Sequence, residues 1–403
     1  MSNAPGTAMP SQVPSTQPVS VTRAVLPRTS PAGAGPHWVE LARLDGEAAV
    51  RAGLRRVSAW LFAVAALVVV IIGVGGATRL TGSGLSITEW GPLIGAIPPL
   101  SDADWRTAFE KYQQIPQYAL LNKGMSLDAF KTIFWWEWGH RQLGRLIGLA
   151  YVLPLLGFLG VGAIPRRTIL PLLAIGPLIG LQGAVGWFMV KSGFEPNQVA
   201  VSPYRLTLHL SLAFAVLGML LWYALRVRRA SSRHVPTASH PVWATRIAAV
   251  LVAGLYLQIV LGGFVAGTRA GLTYNTWPLM DGRLIPAGLA MLQPWYLNLT
   301  ENITTVQFNH RMLAYLVAAL ALGHALGIWL SSRCATIRTT ATALGLGVIA
   351  QGGLGIATLL NATQGKIPLH LGVAHQVGAA LLFALAIWHL SRMMDQPSSL
   401  AAR

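Results

Sequence analysis

The chain has 403 residues, 53% of them hydrophobic and only 11% charged, a mixture that excludes an ordinary soluble enzyme. Its formal net charge of +17 comes from 25 Arg and 5 Lys against 13 acidic residues; the arginines sit in short clusters between long apolar runs, which excludes nucleic acid as a partner. One cysteine, Cys334, excludes a disulfide framework, a cysteine-ligated cluster and the usual structural zinc site. From the N-terminus, residues 1–36 are rich in Pro, Ser, Thr, Ala and Gly and are expected to form a disordered tail, with a weak likeness to a transit peptide and no visible signal peptide. Residues 37–56 read as an amphipathic lead-in helix. Eight apolar stretches then predict membrane-spanning helices over 57–78, 133–157, 169–190, 205–225, 248–267, 305–330, 341–360 and 369–390. The expected fold class is all-α, a polytopic membrane protein. An even number of spans puts both termini on one side, and the clusters at Arg55–Arg56, Arg166–Arg167, Arg226–Arg233 and Arg333–Arg338 mark that side as cytoplasmic.

The chain also repeats itself. Gly75-Gly76-Ala77-Thr78-Arg79, then Gly84-Leu85 and Trp90, returns as Gly263 to Thr268-Arg269, then Gly271-Leu272 and Trp277. Gly139-His140-Arg141 returns as Asn309-His310-Arg311, Gln182-Gly183 as Gln351-Gly352, and His209 as His375. Four spans separate each pair, so the halves share an orientation and are expected to be parallel repeats about an axis along the membrane normal. This predicts a four-helix bundle over 57–225, a cytoplasmic linker over 226–247, a second four-helix bundle over 248–390 and a tail over 391–403.

Histidine inside a bilayer is costly unless it faces a cavity, a partner or a metal. Both His-bearing spans of the first half enter from the outer side, placing His140 roughly 10 Å and His209 roughly 6 Å below their starts, so the two rings can meet. His310 and His375 form a second pair at similar depth. Four imidazoles on two helix pairs suit bis-histidine ligation of two hemes, with a helix-to-helix hydrogen bond as the ordinary alternative for any one ring. Arg79 and Arg269 fall at outer span ends, where a guanidinium suits a heme propionate as well as a lipid headgroup. Arg141 and Arg311 directly follow candidate ligands and are expected to be buried near a propionate or backbone carbonyls.

Glu137 precedes His140 by three residues and so shares its helical face, while the matching position in the second half is Gln307. The first half therefore reads as reactive and the second as an electron-transfer site. His324 and His389 each follow a candidate ligand by 14 residues, a spacing that resembles the heme stack of transmembrane cytochromes b. The stronger expectation is that both are exposed at the cytoplasmic ends of their helices, since the first half has Pro154 and Tyr223 there. His37, His234, His240 and His370 are read as solvated or interfacial, Trp90 and Trp277 as interface anchors or porphyrin neighbours, and Gln182 and Gln351 as interhelical hydrogen-bond formers.

Gly76-Ala77-Thr78-Arg79-Leu80-Thr81 with Ser83-Gly84-Leu85-Ser86, Glu137-Trp138-Gly139-His140-Arg141, Asn309-His310-Arg311, His209 and His375 together resemble the heme A synthase family, over roughly 57–390. The resemblance implies oxidation of the C8 methyl group of heme O to the formyl group of heme A, through two hydroxylations and loss of water from the geminal diol. It further implies that His140 and His209, with Arg79 and Arg141, hold the substrate heme O, that His310 and His375, with Arg269 and Arg311, hold a permanent heme b, and that Glu137 assists the chemistry. Methyl to aldehyde releases four electrons, which heme b would pass to an acceptor the sequence does not identify. Some family members carry a cysteine pair after the first span; 80–132 has none, which sets a thiol role aside and places the chain nearer the proteobacterial and mitochondrial branch. Implied partners are heme O synthase as substrate donor and the terminal oxidase assembly machinery, with homo-oligomerisation left open. A bacterial plasma membrane is favoured over a mitochondrial inner membrane. The competing readings are a diheme membrane cytochrome that only moves electrons, and a heme carrier or oxidase-assembly factor without turnover; Glu137 opposite Gln307 argues for the enzyme.

Overall fold

The computed structural model describes residues 47–91, 94–164, 166–232, 240–363 and 365–394. The N-terminal tail, the first part of the expected lead-in helix, most of the linker and the end of the C-terminal tail lie outside them. The described residues form ten α-helices and no strand. Eight are long and apolar enough to cross a membrane: α1 (Glu47–Leu80), α4 (Leu127–Gly160), α5 (Arg166–Lys191), α6 (Pro203–Ala230), α7 (Val242–Gly267), α8 (Ile303–Ser331), α9 (Ala335–Leu360) and α10 (Leu369–Met393). In hydrocarbon every peptide group needs a partner within its own segment, so such apolar runs have no better option than helix. Residues 47–56, part of the expected lead-in, are the first turns of α1 rather than a separate element.

Each half closes a ring. In the first, α1 packs on α4 and α6, and α5 on α6 with a lighter contact to α4; in the second, α7 packs on α8 and α10, and α9 on both α8 and α10. The rings meet along α1, α6, α7 and α10, where α1 touches α10 and α6 touches both α7 and α10. One apolar core runs through this wall, with the rings of Phe214 and Phe383 edge to face at 5.9 Å. Glycine lets the backbones approach: a Cβ on Gly76 would sit 2.5 Å from the Gln376 amide oxygen, and one on Gly263 would sit 3.1 Å from Thr207. Gln376 Nε2 then donates to the Ile72 carbonyl at 2.8 Å, and the Arg79 guanidinium donates to the Ala266 carbonyl, both across the divide.

The connection after α1 carries two short helices, α2 (Asp102–Gln113) and α3 (Pro116–Leu121). Ser101 opens α2 with a reciprocal cap: its hydroxyl accepts from Asp104 N while the Asp104 carboxylate accepts from Ser101 N. Trp105, Tyr112, Phe130 and Phe134 form a small aromatic core between these helices and α4. Gln117 donates to the Gly82 carbonyl at 3.2 Å and accepts from the Tyr112 hydroxyl at 3.0 Å, tying the connection to the end of α1. The counterpart after α7 holds only 3-10 turns, at Ala270–Leu272 and Trp295–Leu299.

Candidate functional site: two histidine pairs

The four histidines meet as two pairs near the connections that follow α1 and α7. The imidazoles of His140 on α4 and His209 on α6 are close enough to interact electrostatically, and so are those of His310 on α8 and His375 on α10. Every ring lies against a glycine. A Cβ would come within 3.0 Å of His140 at Gly75, 2.8 Å of His209 at Gly186, 3.2 Å of His310 at Gly262 and 2.8 Å of His375 at Gly355. Only a residue without a side chain lets an imidazole lie this close to the neighbouring helix. The rings are partly buried rather than sealed, and His209 Nδ1 is buried without a partner. Facing imidazoles on glycine cradles at both pairs, with an orphan ring nitrogen at His209, are residues that would hold a heme iron at each pair.

Those contacts also set the register of the repeat. Gly75 and Gly262 are equivalent because each abuts its own half's histidine, and the same register carries Trp90 onto Trp277. Arg79 then matches Ala266, the residue whose carbonyl it binds, and Arg269, in the left-handed region at φ 55°, matches Gly82 at φ 70°. The two Thr-Arg dipeptides that look like repeats in the sequence therefore occupy different places: Arg79 crosses between the halves, and Arg269 is an exposed turn residue.

Arg141 and Arg311 are true equivalents. Arg141 donates to the carbonyls of Ile87 and Glu89, each at 2.8 Å, and Arg311 to those of Tyr274 at 2.8 Å and Thr276 at 2.9 Å. Each guanidinium thus staples the connection that follows the first helix of its half onto the histidine-bearing helix. Both find backbone carbonyls, one of the two environments expected from the sequence.

Glu137 is 3% exposed and its carboxylate is saturated. One oxygen accepts from Arg141 Nη2 at 2.6 Å and Nε at 3.1 Å; the other accepts from the Ser86 hydroxyl at 2.8 Å and Ile87 N at 2.9 Å. Gln307 instead donates to the Tyr274 carbonyl at 3.2 Å and leaves its own buried oxygen without a partner. The two positions are alike in place and opposite in polarity.

Sequence reasoning missed Gln258. Its amide donates to the His310 carbonyl at 2.9 Å and reaches the ring Nδ1 at 3.1 Å. Gln351 does the same to His375 at 2.7 and 3.0 Å, and Gln182 to His209 at 3.0 Å, with its nitrogen 3.4 Å from the ring. A comparison of the halves in the Gly75–Gly262 register would have found Gln258 opposite Ile71. Trp90 stacks on Trp187 at 5.5 Å, and Trp277 donates to the Tyr315 hydroxyl at 2.9 Å, so both aromatics brace the connections.

His324 and His389 require correction. They are not exposed at helix ends but 2% and 0% exposed, with their Nε2 atoms 2.8 Å apart and His389 Nδ1 2.8 Å from the Thr340 hydroxyl. They face each other across the interior of the second ring, enclosed by α7 and α9 through Trp243 and Thr340, and direct hydrogen bonding replaces the water they were expected to meet. Two metal–nitrogen bonds of about 2 Å each do not fit between rings this close, so they do not form the inner ligand pair of a cytochrome b stack. His240 is buried beside Thr245 at 3.0 Å, and His370 is exposed; His37 and His234 lie outside the described residues.

The sequence model of the cytochrome oxidase assembly protein family matches residues 58–387, reaching from the first to the last of the eight long helices, and the chain belongs to that family. Its relatives include the heme A synthase of Methylorubrum populi, 47% identical over 355 residues, covering 87% of this chain and 90% of the relative. The heme A synthase of Methylobacterium sp. strain 4-46 is 51% identical over 82% of this chain and 90% of its own length, and that of Azorhizobium caulinodans is 50% identical over 84% and 94%.

Proposed function

We propose that this chain oxidises the C8 methyl group of heme O to a formyl group, giving heme A for terminal oxidases. The observation that carries the reading is the chemical difference between two otherwise matched histidine pairs: a buried carboxylate stands one helical turn from His140, and an amide stands in its place beside His310. The names and coverage of the relatives agree with it.

On this reading His140 and His209 hold the substrate, and His310 and His375 hold a resident heme b. Bound there, heme b supplies a one-electron relay for the four electrons that the methyl group gives up. Arg141 and Arg311 act one step back, fixing the connections that border each site through backbone carbonyls. Arg79 and Arg269 sit near each other at the meeting of the halves, where the free donors of a guanidinium suit a propionate. Glu137, its carboxylate oriented by the Ser86, Ile87 and Arg141 donors, favours positive charge developing on the ring methyl carbon. The body lies in a bacterial plasma membrane with both termini in the cytoplasm, receives heme O from heme O synthase, and delivers to oxidase assembly.

The test is expression beside a heme O supply, followed by extraction and mass analysis of the hemes. Wild-type protein is expected to yield heme A together with heme b. Glu137→Ala is expected to keep heme b and lower heme A about 100-fold; undiminished heme A would remove Glu137 from the mechanism. Heme b alone from the wild-type protein would favour the electron carrier over the enzyme.

A further inference from the structure

The halves share a register but not their restraints, and the differences at equivalent places loosen the first. His310 and His375 are held by Gln258 and Gln351, whose amides donate to the backbone carbonyl of each ligand residue and lie against its ring. In the first half only His209 has such a partner, at the longer ring distance of 3.4 Å. Ile71 occupies the place of Gln258, and among the described residues the His140 ring makes no hydrogen bond. An unclamped imidazole pays less to swing away from an iron.

The far ends of the helices differ in the same sense. In the second half His324 of α8, His389 of α10 and Thr340 of α9 form one buried chain of hydrogen bonds. Thr340 donates to the Thr336 carbonyl, so it accepts from His389 Nδ1, and His324 Nε2 completes the chain by donating to His389 Nε2. The equivalent residues of the first half are Pro154, Pro171 and Tyr223, which make no such chain. Prolines interrupt both α4 and α5, at Pro154, Pro171 and Pro177, whereas α8 and α9 contain none. Packing follows suit: α8 and α9 are in close contact, and α4 and α5 touch only lightly. A hydrogen bond from the buried Tyr151 hydroxyl to the Leu172 carbonyl, 2.6 Å, ties the α4–α5 seam near the locked end of its twin.

We propose that the seam between α4 and α5 is a lateral entrance through which a lipophilic porphyrin reaches the first half from the bilayer, with His140 as the axial ligand that lets go to admit and release it. The second half, clamped at both ligands and locked at the far end, keeps its porphyrin. Release breaks the bond to His140 first and the bond to His209 after it, and entry forms both; each electron pair stays on its imidazole, so no oxidant, reductant or proton is consumed. The identity of the porphyrin as substrate rests on the function proposed above; the inequality of the two halves does not.

The experiment uses full-length protein in lipid nanodiscs, loaded with heme in both halves and mixed with excess apomyoglobin, with heme transfer followed by absorbance. His209→Ala and His375→Ala proteins assign each phase to a half. First-half heme is expected to leave at least about tenfold faster than second-half heme. Ile71→Gln is expected to slow the fast phase about tenfold, and Gln258→Ile to speed the slow one by a similar factor. Grafting the lock, as Pro154→His with Pro171→Thr and Tyr223→His, is expected to slow the fast phase as well. Equal rates in the wild-type protein, or a fast phase indifferent to Ile71→Gln, would overturn the role of His140; a correctly folded graft without effect would overturn the seam as the route. Normal exchange without heme A in cells would defeat the catalytic reading alone, and heme A formation with equal exchange would defeat the entrance alone.

Discussion

Arg141 and Arg311 make the same pair of bonds to equivalent carbonyls, yet they do not face the same electrostatics. Arg141 also pairs with buried Glu137 at 2.6 Å, and Arg311 stands beside a neutral amide. Removing Arg141 leaves a carboxylate buried without its counter-charge, which typically costs about 3 kcal/mol. Arg141→Ala is therefore expected to lower the thermal midpoint of the purified protein clearly more than Arg311→Ala, in a matched pair of melts; equal losses would show that the carbonyl staple outweighs the ion pair. The four paired histidines were legible in the sequence because apolar surroundings make a polar ring conspicuous. What Arg141 and Arg311 touch was only half legible: a guanidinium next to a ligand announces burial, but nothing in the spacing says whether a carbonyl or a ligand propionate receives it. Gln258 was invisible because its counterpart is Ile71, so a search for repeated residues passes over it.

The spans were read at nearly the right places because about 20 apolar residues have few alternatives in a bilayer. Their ends were not: α4 begins at Leu127, well before the apolar run, because Ser126 accepts from Ala129 N and starts the helix in a polar stretch. The helices α2 and α3 went unread because they are too short and too polar to register as spans, although Ser101 followed by Asp104 is a recognisable capping signal. Ser101→Ala is expected to cost about 1 kcal/mol of local stability, seen as faster hydrogen exchange of α2 amides with α4 unaffected. The same cap has a pH signature. Hydrogen bonds from Ser101 and the Leu100 N–H hold the exposed Asp104 carboxyl below its ordinary value, so the stabilisation is complete above the usual carboxylate range and fades as the pH falls through the depressed value. Exchange protection of α2 is expected to drop at the acid end in the wild-type protein and to be flat with pH in Asp104→Asn.

Across the molecule, α1, α6, α7 and α10 form one wall on which both rings are built, and the histidines of α6 and α10 project from it. The repeat in the sequence announced two halves; it could not announce how unequally they are held, because restraint resides in single substitutions such as Ile71 for Gln258 and Pro171 for Thr340, each within a span that stays apolar as a whole. Replacing His389 by Leu removes the link between α8 and α9 while preserving apolar volume. It is expected to leave both sites able to take up heme but to make the second half lose it faster, measured by transfer to apomyoglobin.

The adjacent glycines 75 and 76 face different helices, one turned onto His140 of α4 and the other onto the Gln376 amide beside His375 of α10. A single turn of α1 is thus floor to one chamber and shared partition to the other, and any tilt of that turn alters both distances together. Occupancy in one chamber should consequently be audible in the other: the reduction midpoint of a heme held by His310 and His375 is expected to differ when the opposite chamber is filled, and to lose that dependence in Gln376→Leu.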